Sequence, residues 1–316
     1  MKKRARIIYN PTSGREAIRR DLVDILNVYE LAGYETSAFA TTAEPHSAQN
    51  EALRAAEDGF DLIIAAGGDG TINEVVNGIA GLENRPVMAV IPAGTTNDYA
   101  RALHIPRDNP LEAARIINQK KAARMDIGQA NDSYFVNIAA GGSLSELTYS
   151  VPSKLKSMYG YLAYVVKGAE LLPRVRPMDL RIEYDDGVYE GTTALFFLAL
   201  TNSVGGFEQI VPDAKLDDGK FTLLVLKTSK LNEIMAIMSE ALKGKHVDDP
   251  NVLYVKSDQV KIMPKPGYDN PVMINLDGEY GGDAPVEFVN HHAHIKMVAN
   301  VDDMTDNQFV LPSIDL

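Results

Sequence analysis

A short apolar run that ends in glycines and passes directly into a helical pattern constrains the fold of this chain most. The run Leu62–Ala66 is too short for a helix, and Gly67 and Gly68 stop it, which is typical of a buried strand that ends in a tight turn. Apolar residues then recur at helical spacing, at Ile72, Val75, Val76 and Ile79. Strand, turn and helix in this order predict an anion site, because glycine leaves the backbone bare and a helix N-terminus offers N–H groups to phosphate.

One acidic residue, Asp69, lies within this predicted phosphate turn. A carboxylate there repels a phosphate unless a cation or a hydroxyl proton lies between the two groups. We therefore interpret Asp69 as a residue that takes part in chemistry. The alternative is structural: an aspartate that caps the helix expected to begin near Thr71.

The order of strand, polar loop and helix occurs again on both sides of this turn. Further strands are expected at 5–9, 34–40 and 87–91, and helical patterns follow them. The first and last of these strands run into the polar loops 10–14 and 92–98. Strands that alternate with helices predict a parallel sheet with helices on both faces, and ligands bind at the carboxyl edge of such a sheet.

From Ala123 onwards the pattern changes to closely spaced strands. We expect them at 123–129, 134–140, 180–184, 192–201, 221–227, 252–255, 259–263, 272–276, 286–289 and 294–299. Turn-forming sequences such as Asp185–Gly187 and Asp217–Gly219 separate them. Turns of this kind are typical of antiparallel hairpins.

The change of pattern predicts two domains. We expect an α/β domain over residues 1–125 and a mostly antiparallel, β-sandwich-like domain over 126–299, interrupted by helical insertions at 143–172 and 231–242. The tail, 300–316, either returns to the first domain or is disordered.

Composition excludes several classes of protein. The 316 residues include no cysteine, which excludes disulfides, thiolate metal sites and cysteine nucleophiles and leaves oxygen as the ligand of any metal. A formal net charge of −12 argues against nucleic acid as a partner. The longest apolar run, Ala194–Leu200, is far shorter than the roughly 20 residues that cross a bilayer. The apolar run behind the basic N-terminus is too short for a secretory signal, so we expect a cytoplasmic protein, at most peripheral to a membrane.

Three groups of residues carry a resemblance to a known family. The first group is Gly67–Thr71, Asn73, Glu74 and Asn77. The second is Pro92, Gly94, Thr95, Asn97, Asp98, Ala100 and Arg101. The third is Asn202, Phe207, Pro212–Ala214, Leu216–Gly219 and Leu276–Glu279. Together they resemble the diacylglycerol kinase catalytic domain that soluble bacterial diacylglycerol kinases share with sphingosine and ceramide kinases, and the similarity covers nearly the whole chain.

The first group alone does not identify the family, because the glycine and aspartate core also occurs in NAD kinases and phosphofructokinases. The second group favours the lipid kinases. The resemblance therefore implies an N-terminal domain of the NAD kinase and phosphofructokinase type.

The resemblance implies an ATP site on the predicted carboxyl-edge loops. The residues that would contact the nucleotide are Asn10, Pro11, Thr12, Ser13, Gly14, Arg15, Thr41, Gly68, Asp69, Gly70, Thr71, Ile72, Asn73, Glu74 and Thr95. Arg15 departs from the family pattern, in which a lysine is expected. Both side chains bind phosphate, Arg as a planar fork and Lys as a point charge, so we expect the role to be kept with altered geometry.

The resemblance also implies a Mg²⁺ site at Asp218, completed by the main-chain carbonyls of Lys215 and Lys220. Three further carboxylates would join the ion to the nucleotide loop through water: Asp126, Asp98 and Asp69. Carboxylates, carbonyls and water are the ligands that Mg²⁺ prefers. Turn chemistry alone favours a different interpretation of Asp218, a hairpin turn, because Asp and Gly are common there.

Phosphoryl transfer to an alcohol also needs a group that accepts the hydroxyl proton. Glu279 follows an apolar strand, and the resemblance to the bacterial lipid kinases implies that it is this general base. The resemblance to sphingosine kinases favours Asp69 instead, which we place second. The structural alternative is that Glu279 only orders the end of a strand.

These observations predict an ATP-dependent lipid kinase of phospholipid metabolism that converts 1,2-diacylglycerol to phosphatidic acid with Mg²⁺. The alternatives are a kinase of another lipid alcohol such as a sphingoid base, ceramide or undecaprenol, a kinase of a soluble acceptor such as NAD, and a nucleotide-binding module without activity. The resemblance also implies a homodimer.

Residues 153–176 are locally basic and rich in tyrosine, which predicts a membrane-surface contact at the inner face of the cell membrane. A solvated helix face with a packed aromatic side is the alternative. His291, His292 and His294 show no metal-binding spacing, and we interpret them as surface residues.

Overall fold

The structure of the chain is a computed structural model that describes residues 2–142, 176–203, 209–228, 230–241, 243–304 and 308–316. For Arg15 and Leu231 the description is limited to the main chain. The helical insertion expected at 143–172 lies outside the described residues, as does the basic segment 153–176 except for Arg176. Helices and strands are numbered in chain order over the described residues.

Two compact units divide the chain, and each contains more than one stretch of it. The first consists of Met1–Ile127, Lys215–Asp218 and His292–Leu316, and the second of Gly128–Ala214 and Gly219–His291. The chain therefore returns twice to the first unit. The expected domains, 1–125, 126–299 and 300–316, are simpler than this division, because periodicity identifies strands but not the sheet that each one joins. They stay a prediction about independently folding domains.

The first unit is built on a largely buried parallel sheet. Its strands are β1 (Lys3–Tyr9), β2 (Tyr34–Ala40), β3 (Leu62–Gly67), β4 (Val87–Pro92) and the carboxyl half of β16 (Val286–Val298). They lie in the order β2-β1-β3-β4-β16, and β1 to β4 pair in parallel, with Ile7 opposite Ile64 and Ala65 opposite Val90. Every residue of β3 is buried, which explains its continuous apolar sequence.

Helices connect these strands. They are α1 (Ala17–Leu31), α2 (Ser47–Glu57), α3 (Asp69–Ile79), α4 (Asp98–Ala102) and α5 (Pro110–Arg115), with 3-10 turns at Ser13–Glu16 and Ile116–Gln119. On α1 the buried residues Ile18, Ile25 and Tyr29 recur at the spacing of one helix face. Parallel strands joined by helices confirm the predicted α/β class of this part of the chain.

Antiparallel strands form the second unit. The strand β5 (Lys121–Ala130) enters it, and the others are β6 (Ser133–Phe135), β7 (Ile138–Gly141), β8 (Met178–Tyr184), β9 (Gly187–Thr193), β10 (Leu195–Ala199), β11 (Phe221–Leu226), β12 (Val252–Ser257), β13 (Gln259–Pro264), β14 (Met273–Leu276), β15 (Glu279–Asp283) and the first half of β16. One sheet has the order β12-β11-β10-β7-β14-β15, and β16-β13-β8-β9 belong to another. One helix, α6 (Leu231–Ala241), lies between β11 and β12 in the sequence.

One apolar core of the described residues joins the two antiparallel sheets of this unit. It includes the fully buried rings of Phe135, Phe196, Phe221 and Phe288. The ring centroid of Phe135 lies 5.7 Å from that of Phe221 and 6.1 Å from that of Phe288. Side chains from both sheets thus share one core, which confirms the predicted sandwich-like class.

At three places the expected strands are divided or joined differently in the structure. The strand expected at 134–140 is two strands, β6 and β7, because Val136 and Asn137 turn their N–H groups to the side chain of Asp277. The strand expected at 192–201 is the end of β9 followed by β10. The two strands expected at 286–289 and 294–299 are one strand, β16, because the polar residues 290–292 between them are also extended. Apolar periodicity does not predict this connection, since these residues are polar.

The carboxyl-terminal residues pack on the first unit. The strand β17 (Ile314–Asp315) pairs antiparallel with β5, opposite Ala122 and Lys121. The ammonium group of Lys121 lies 2.7 Å from the carboxylate of Asp315, and the N–H of Leu316 donates to the carbonyl of Lys120 at 3.1 Å. Across the described ranges, the helices are too short or too polar to cross a membrane.

One carboxylate holds the hairpin between β14 and β15. Its two turn residues, Asp277 and Gly278, both have positive φ, 51° and 100°, which two-residue hairpins favour. The carboxylate of Asp277 accepts the N–H groups of three successive residues, at 2.7, 2.9 and 2.9 Å: Val136, Asn137 and Ile138. Asp277 therefore fixes the start of β15, where Glu279 lies, against the beginning of β7.

We expect Asp277→Ala to lower the free energy of unfolding by about 2–4 kcal/mol, because it leaves three backbone N–H groups without their acceptor. Urea denaturation followed by circular dichroism measures this loss. Glu279→Ala is the matched control: its side chain is exposed, so its free energy of unfolding is expected within about 0.5 kcal/mol of the parent. Equal losses in the two variants would contradict the anchoring role of Asp277.

Candidate active site

Main-chain hydrogen bonds join the loops that follow the parallel strands of the first unit. The N–H of Asn10, after β1, donates to the carbonyl of Ala66 at 2.9 Å, and the N–H of Ala93, after β4, donates to that of Gly67 at 2.7 Å. The N–H of Thr41, after β2, donates to the carbonyl of Tyr9 at 2.9 Å. The structure thus brings the predicted polar loops together at the carboxyl edge of the sheet.

The loops after β3 and β4 approach so closely that only glycine fits between them. A Cβ on Gly94 would lie 2.7 Å from the Cα of Gly68 and 2.7 Å from the Oδ1 of Asn97. The amide of Asn97 holds this arrangement: its Oδ1 accepts the N–H of Gly94 at 2.8 Å, and its Nδ2 donates to the Gly94 carbonyl at 3.0 Å. The two loops therefore present bare main chain side by side.

Helix α3 begins earlier than the sequence predicts. Gly68 is its N-cap residue and Asp69 is its first helical residue, whereas the expected start was near Thr71. The N–H groups of Thr71 and Ile72 already donate to the Gly68 carbonyl, at 3.0 and 3.2 Å. The first turn therefore leaves the N–H groups of Asp69 and Gly70 for an anion.

The carboxylate of Asp69 connects α3 to the next loop. It accepts the N–H of Tyr99, the second residue of α4, at 3.4 Å and the hydroxyl of Thr96 at 3.3 Å. The structural alternative, a cap on its own helix, is therefore wrong, because Asp69 lies inside α3 and faces the start of α4. Burial raises the pKa of the Asp69 carboxyl, and the donors of the α4 loop oppose that rise. A carboxyl with a raised pKa is better suited to accept a proton near neutral pH.

The loop after β1 is a compact polar turn. The Oδ1 of Asn10 accepts the N–H of Thr12 at 3.0 Å and its hydroxyl at 2.9 Å, and the Ser13 N–H donates to the Asn10 carbonyl at 3.3 Å. Gly14 has a φ of +56°, and a Cβ there would lie 2.9 Å from the carbonyl oxygen of Ala93. This loop and the loop after β4 therefore also meet through a glycine. Arg15 follows in the 3-10 turn.

Two of the predicted nucleotide contacts have structural roles in the first unit. The Oε2 of Glu74 accepts the N–H groups of Ala48 at 2.8 Å and Gln49 at 3.4 Å, and so caps α2, whose own N-cap residue His46 makes no side-chain cap. The side chain of Ile72 is fully buried. By contrast, Gly70 and Thr95 are exposed, and Pro11, Thr41 and Asn73 are partly exposed. Contact of these residues with a nucleotide stays a prediction.

The predicted metal residues of the first unit lie on several segments, and two of these segments hydrogen-bond to each other. Asp98 and Asp126 are buried and Asp218 is partly buried. The N–H of Asp126 donates to the carbonyl of Leu216 at 2.8 Å, and its Oδ1 accepts the N–H of Ala293 at 2.7 Å. Asp126 therefore lies beside the segment that carries Lys215 and Asp218.

The donor set around Asp218 fits Mg²⁺ better than a transition metal. Among the residues that the structure describes, no three His, Asp or Glu side chains are grouped to hold a metal ion. A cation at Asp218 would therefore depend on one carboxylate with carbonyls and water, which is how Mg²⁺ is bound, whereas Zn²⁺ takes three or four protein ligands. The alternative of a tight hairpin turn at Asp217–Gly219 is wrong, because the long connection 200–220 separates β10 from β11.

Two predicted site residues lie in the second unit. Glu279 is the first residue of β15, opposite Leu276, and its exposed carboxylate has no hydrogen-bonded partner among the described residues. The alternative that Glu279 only orders the strand end therefore has no contact to support it. The ammonium group of Lys220 lies 2.7 Å from a carboxylate oxygen of Asp185 and 3.5 Å from one of Asp258. Its positive charge is thus neutralised within this unit, and the metal role of its main-chain carbonyl stays a prediction.

Sequence reasoning missed several polar residues that hold these loops. Asp217 has no exposed surface, and Asn97 holds Gly94 in the loop after β4. The histidines interpreted as surface residues have hydrogen-bond partners. His292 bonds the carbonyl of Asp217 at 2.9 Å, and His294 bonds the carbonyl of Ala80 at 2.8 Å. In the second unit, His291 bonds the side chain of Gln129 at 2.6 Å. His292 is exposed and the other two are partly exposed, so they are surface residues as interpreted. No local pattern signals their partners, because these lie far away in the sequence.

Known proteins resemble the chain over both of its parts. Residues 4–130 match the family model described as the diacylglycerol kinase catalytic domain. Residues 147–299 match the YegS C-terminal NAD kinase beta sandwich-like domain.

Curated relatives and solved structures agree with these matches. Proteins named diacylglycerol kinase from Bacillus subtilis (strain 168) and Staphylococcus aureus (strain Newman) are 54% and 52% identical over 299 residues, which span 94% and 95% of this chain and 96% and 93% of theirs. The crystal structure of a diacylglycerol kinase from Bacillus anthracis strain Sterne superposes with a TM-score of 0.76 at 25% identity, over 96% of this chain and 99% of that one. Another structure from that strain gives 0.81 at 27% identity, over 96% and 97%. With relatives more than half identical over nearly its whole length, this chain belongs to the diacylglycerol kinase family.

Proposed function

We propose that this chain transfers the γ-phosphoryl group of ATP to the free hydroxyl of 1,2-diacylglycerol and releases ADP and phosphatidic acid, with Mg²⁺ bound. The observation that carries the proposal is the pair of glycine loops, where the main chains of Gly68 and Gly94 lie side by side at the carboxyl edge of the sheet. Bare main chain beside a helix N-terminus is suited to a polyphosphate. The lipid acceptor follows from the relatives, which are named diacylglycerol kinases.

The proposed nucleotide site uses the three loops of the first unit. The N–H groups of Asp69 and Gly70 at the start of α3 would donate to phosphate oxygens, and the exposed hydroxyls of Thr12 and Thr95 lie on the two flanking loops. Arg15, immediately after the first loop, would add a positive charge with a planar fork of donors. Phosphoryl transfer depends mainly on such positioning and charge neutralisation.

The proposed metal ligands are Asp218 and the main-chain carbonyls of Lys215 and Lys220. Asp126, whose main chain bonds that of Leu216, adds a buried carboxylate next to this segment and favours a cation there. Bound at this site, Mg²⁺ would neutralise charge on the phosphates. The same proposal includes Asp98 and Asp69, which would be linked to the ion through water molecules.

Glu279 is the proposed general base, and Asp69 is the second candidate. In the transfer, the acceptor hydroxyl oxygen forms a bond to the γ-phosphorus, the bond from that phosphorus to the bridging oxygen of ADP breaks, and the hydroxyl proton passes to the carboxylate. The carboxylate of Glu279 is exposed and has no partner among the described residues. Asp69 already accepts hydrogen bonds from the α4 loop, although its raised pKa suits a base.

A diacylglycerol acceptor requires contact with a lipid surface. We therefore propose that the enzyme acts transiently at the inner face of the cell membrane, with the basic aromatic segment 153–176 as the predicted contact. The homodimer that the family resemblance implies is part of the same proposal.

A phosphorylation screen of the purified full chain tests the acceptor. Labelled ATP is supplied with and without Mg²⁺ to detergent-dispersed diacylglycerol, ceramide, a sphingoid base and undecaprenol, and to NAD in solution. We expect label in phosphatidic acid and only in the presence of Mg²⁺. Label on NAD alone would overturn the lipid proposal, label on another lipid would replace diacylglycerol as the acceptor, and ATP binding without any transfer would favour a binding module.

We expect Glu279→Gln to lower kcat by about 10²–10⁴-fold and to leave the affinity for ATP nearly unchanged, because the change removes a proton acceptor and little else. Steady-state kinetics and equilibrium ATP binding measure the two effects. Glu287→Gln is the matched control, an exposed glutamate of β16 whose change should leave kcat at the parent value. A near-normal kcat in Glu279→Gln, together with its loss in Asp69→Asn, would move the base assignment to Asp69.

We expect Gly94→Ala to weaken ATP binding by about tenfold or more, because the new Cβ would force the two phosphate loops apart and a misplaced donor loses most of its interaction. Gly81→Ala is the control: no atom lies within 4 Å of the position its Cβ would take. Binding of a fluorescent ATP analogue compares the variants. Equal affinities for the two variants would show that the close approach at Gly94 does not form the nucleotide site.

A further inference from the structure

Main-chain hydrogen bonds from two other segments hold the segment Lys215–Asp218 in the first unit. The carbonyl of Leu216 accepts the N–H of Asp126 at 2.8 Å, and the N–H of Leu216 donates to the carbonyl of Gln308 at 3.0 Å. The side chain of Leu216 is buried. This segment is therefore joined through Leu216 both to β5 and to the carboxyl-terminal residues.

Asp217 is bound by its neighbours through both its side chain and its main chain. Its two carboxylate oxygens accept the N–H groups of Val310 at 2.6 Å and Leu311 at 2.7 Å. Its carbonyl accepts a hydrogen bond from Nε2 of His292 at 2.9 Å. The residue has no exposed surface. A buried carboxylate is stable only with donors of this kind, so Asp217 and the residues 310–311 depend on each other.

The donors that hold Asp217 come from a segment that is itself anchored. After Leu311 the chain continues into β17, which pairs with β5, and the terminal N–H of Leu316 donates to the carbonyl of Lys120. The pair formed by Lys121 and Asp315 lies at the same place but on the surface. The carboxyl-terminal segment 308–316 is thus fixed at both ends, to Leu216 at its start and to β5 at its end.

We propose that Asp217, held by the carboxyl-terminal segment 308–316, is the positioning residue for Asp218 and thereby sets the affinity of this loop for Mg²⁺. The inference rests on the proposed function, in which Asp218 binds the ion. Asp217 does not bind the metal itself, because both of its oxygens face main-chain N–H groups. It acts by fixing the peptide that joins it to Asp218.

A physical argument connects the fixed peptide to affinity. The peptide bond between Asp217 and Asp218 is rigid, so fixing the side chain and carbonyl of Asp217 limits where the Cα of Asp218 can lie. A ligand that is already in place loses less conformational entropy when the ion binds. Removing the anchor should therefore weaken Mg²⁺ binding, while the filled site should still support turnover.

The experiment measures Mg²⁺ binding to the full chain by isothermal titration calorimetry without nucleotide or lipid, and kcat across a Mg²⁺ titration. Asp217→Asn places an amide donor against a main-chain N–H, and we expect it to weaken Mg²⁺ binding by about 10–100-fold, as changes in outer-shell partners of metal sites do. We expect kcat at saturating Mg²⁺ to stay within about threefold of the parent, since the interaction is not specific to the transition state.

Asp315→Asn is the matched control: it is the same chemical change in the same segment, but it breaks only a surface pair and should leave Mg²⁺ affinity unchanged. Val310→Pro is a second variant that removes one N–H donor and leaves Asp217 in place; its side chain is 57% exposed, and we expect an intermediate loss of affinity. Circular dichroism and Tm identify folded variants, and Val310→Pro carries the test if Asp217→Asn does not fold.

Parental Mg²⁺ affinity in a folded Asp217→Asn or Val310→Pro variant would overturn the inference. Loss of kcat at every Mg²⁺ concentration with unchanged affinity would overturn it as well. Asp218→Asn separates this result from a failure of the proposed function: parental Mg²⁺ affinity in that variant would mean that Asp218 is not the metal ligand. In that case the metal site itself would be wrong, whatever the behaviour of Asp217.

Discussion

The close approach of two main chains at the edge of the parallel sheet is the constraint on which the first unit depends. Gly94 can lie against Gly68 only because Gly94 has no Cβ, and the amide of Asn97 fixes the second loop in this position. The side chain of Asp69 then joins the start of α3 to the start of α4 across the same two loops. The strands supply a rigid base for this arrangement, since β3 is buried along its whole length. The bare main chain that the proposed phosphate site requires thus depends on the absence of a Cβ at Gly94 and on the amide of Asn97.

Carboxylates that accept main-chain N–H groups are the recurring means by which this acidic chain fixes its loops. Glu74 caps α2, Asp217 holds the carboxyl-terminal segment, and Asp277 holds the link between β6 and β7. A hydrogen bond to an ionised acceptor contributes roughly 1.5–3 kcal/mol, more than a neutral one. Several of the acidic side chains behind the net charge of −12 therefore have a structural role in holding the backbone.

How much of the fold and of the candidate site the sequence could predict depends on how far apart the contacting residues lie in the sequence. The turn at Gly67–Thr71 is local, and the prediction of strand, glycine turn and helix was correct apart from the start of α3 at Asp69. The family resemblance, which depends on short motifs, was confirmed by relatives over nearly the whole chain. The anchoring contacts join residues 26, 93 and 141 positions apart, and no periodicity or motif relates such pairs. The same limit explains why the prediction of one strand at 134–140 was wrong. The strand is interrupted because the N–H groups of Val136 and Asn137 donate to the carboxylate of Asp277.

Two adjacent or nearly adjacent acids serve different purposes at two places in the chain. In the first pair, Asp217 is buried and both of its carboxylate oxygens accept hydrogen bonds, whereas Asp218 is partly exposed. In the second pair, Asp277 accepts three N–H groups, whereas Glu279, two residues later, is exposed. In each pair the first acid accepts main-chain N–H groups, which supports the proposal that it positions the second. An exposed carboxylate on an unanchored turn would have to be ordered each time it met a cation or a proton, at a cost of about 1–2 kcal/mol per residue. Composition does not distinguish the two members of each pair; their burial and main-chain partners in the folded chain do.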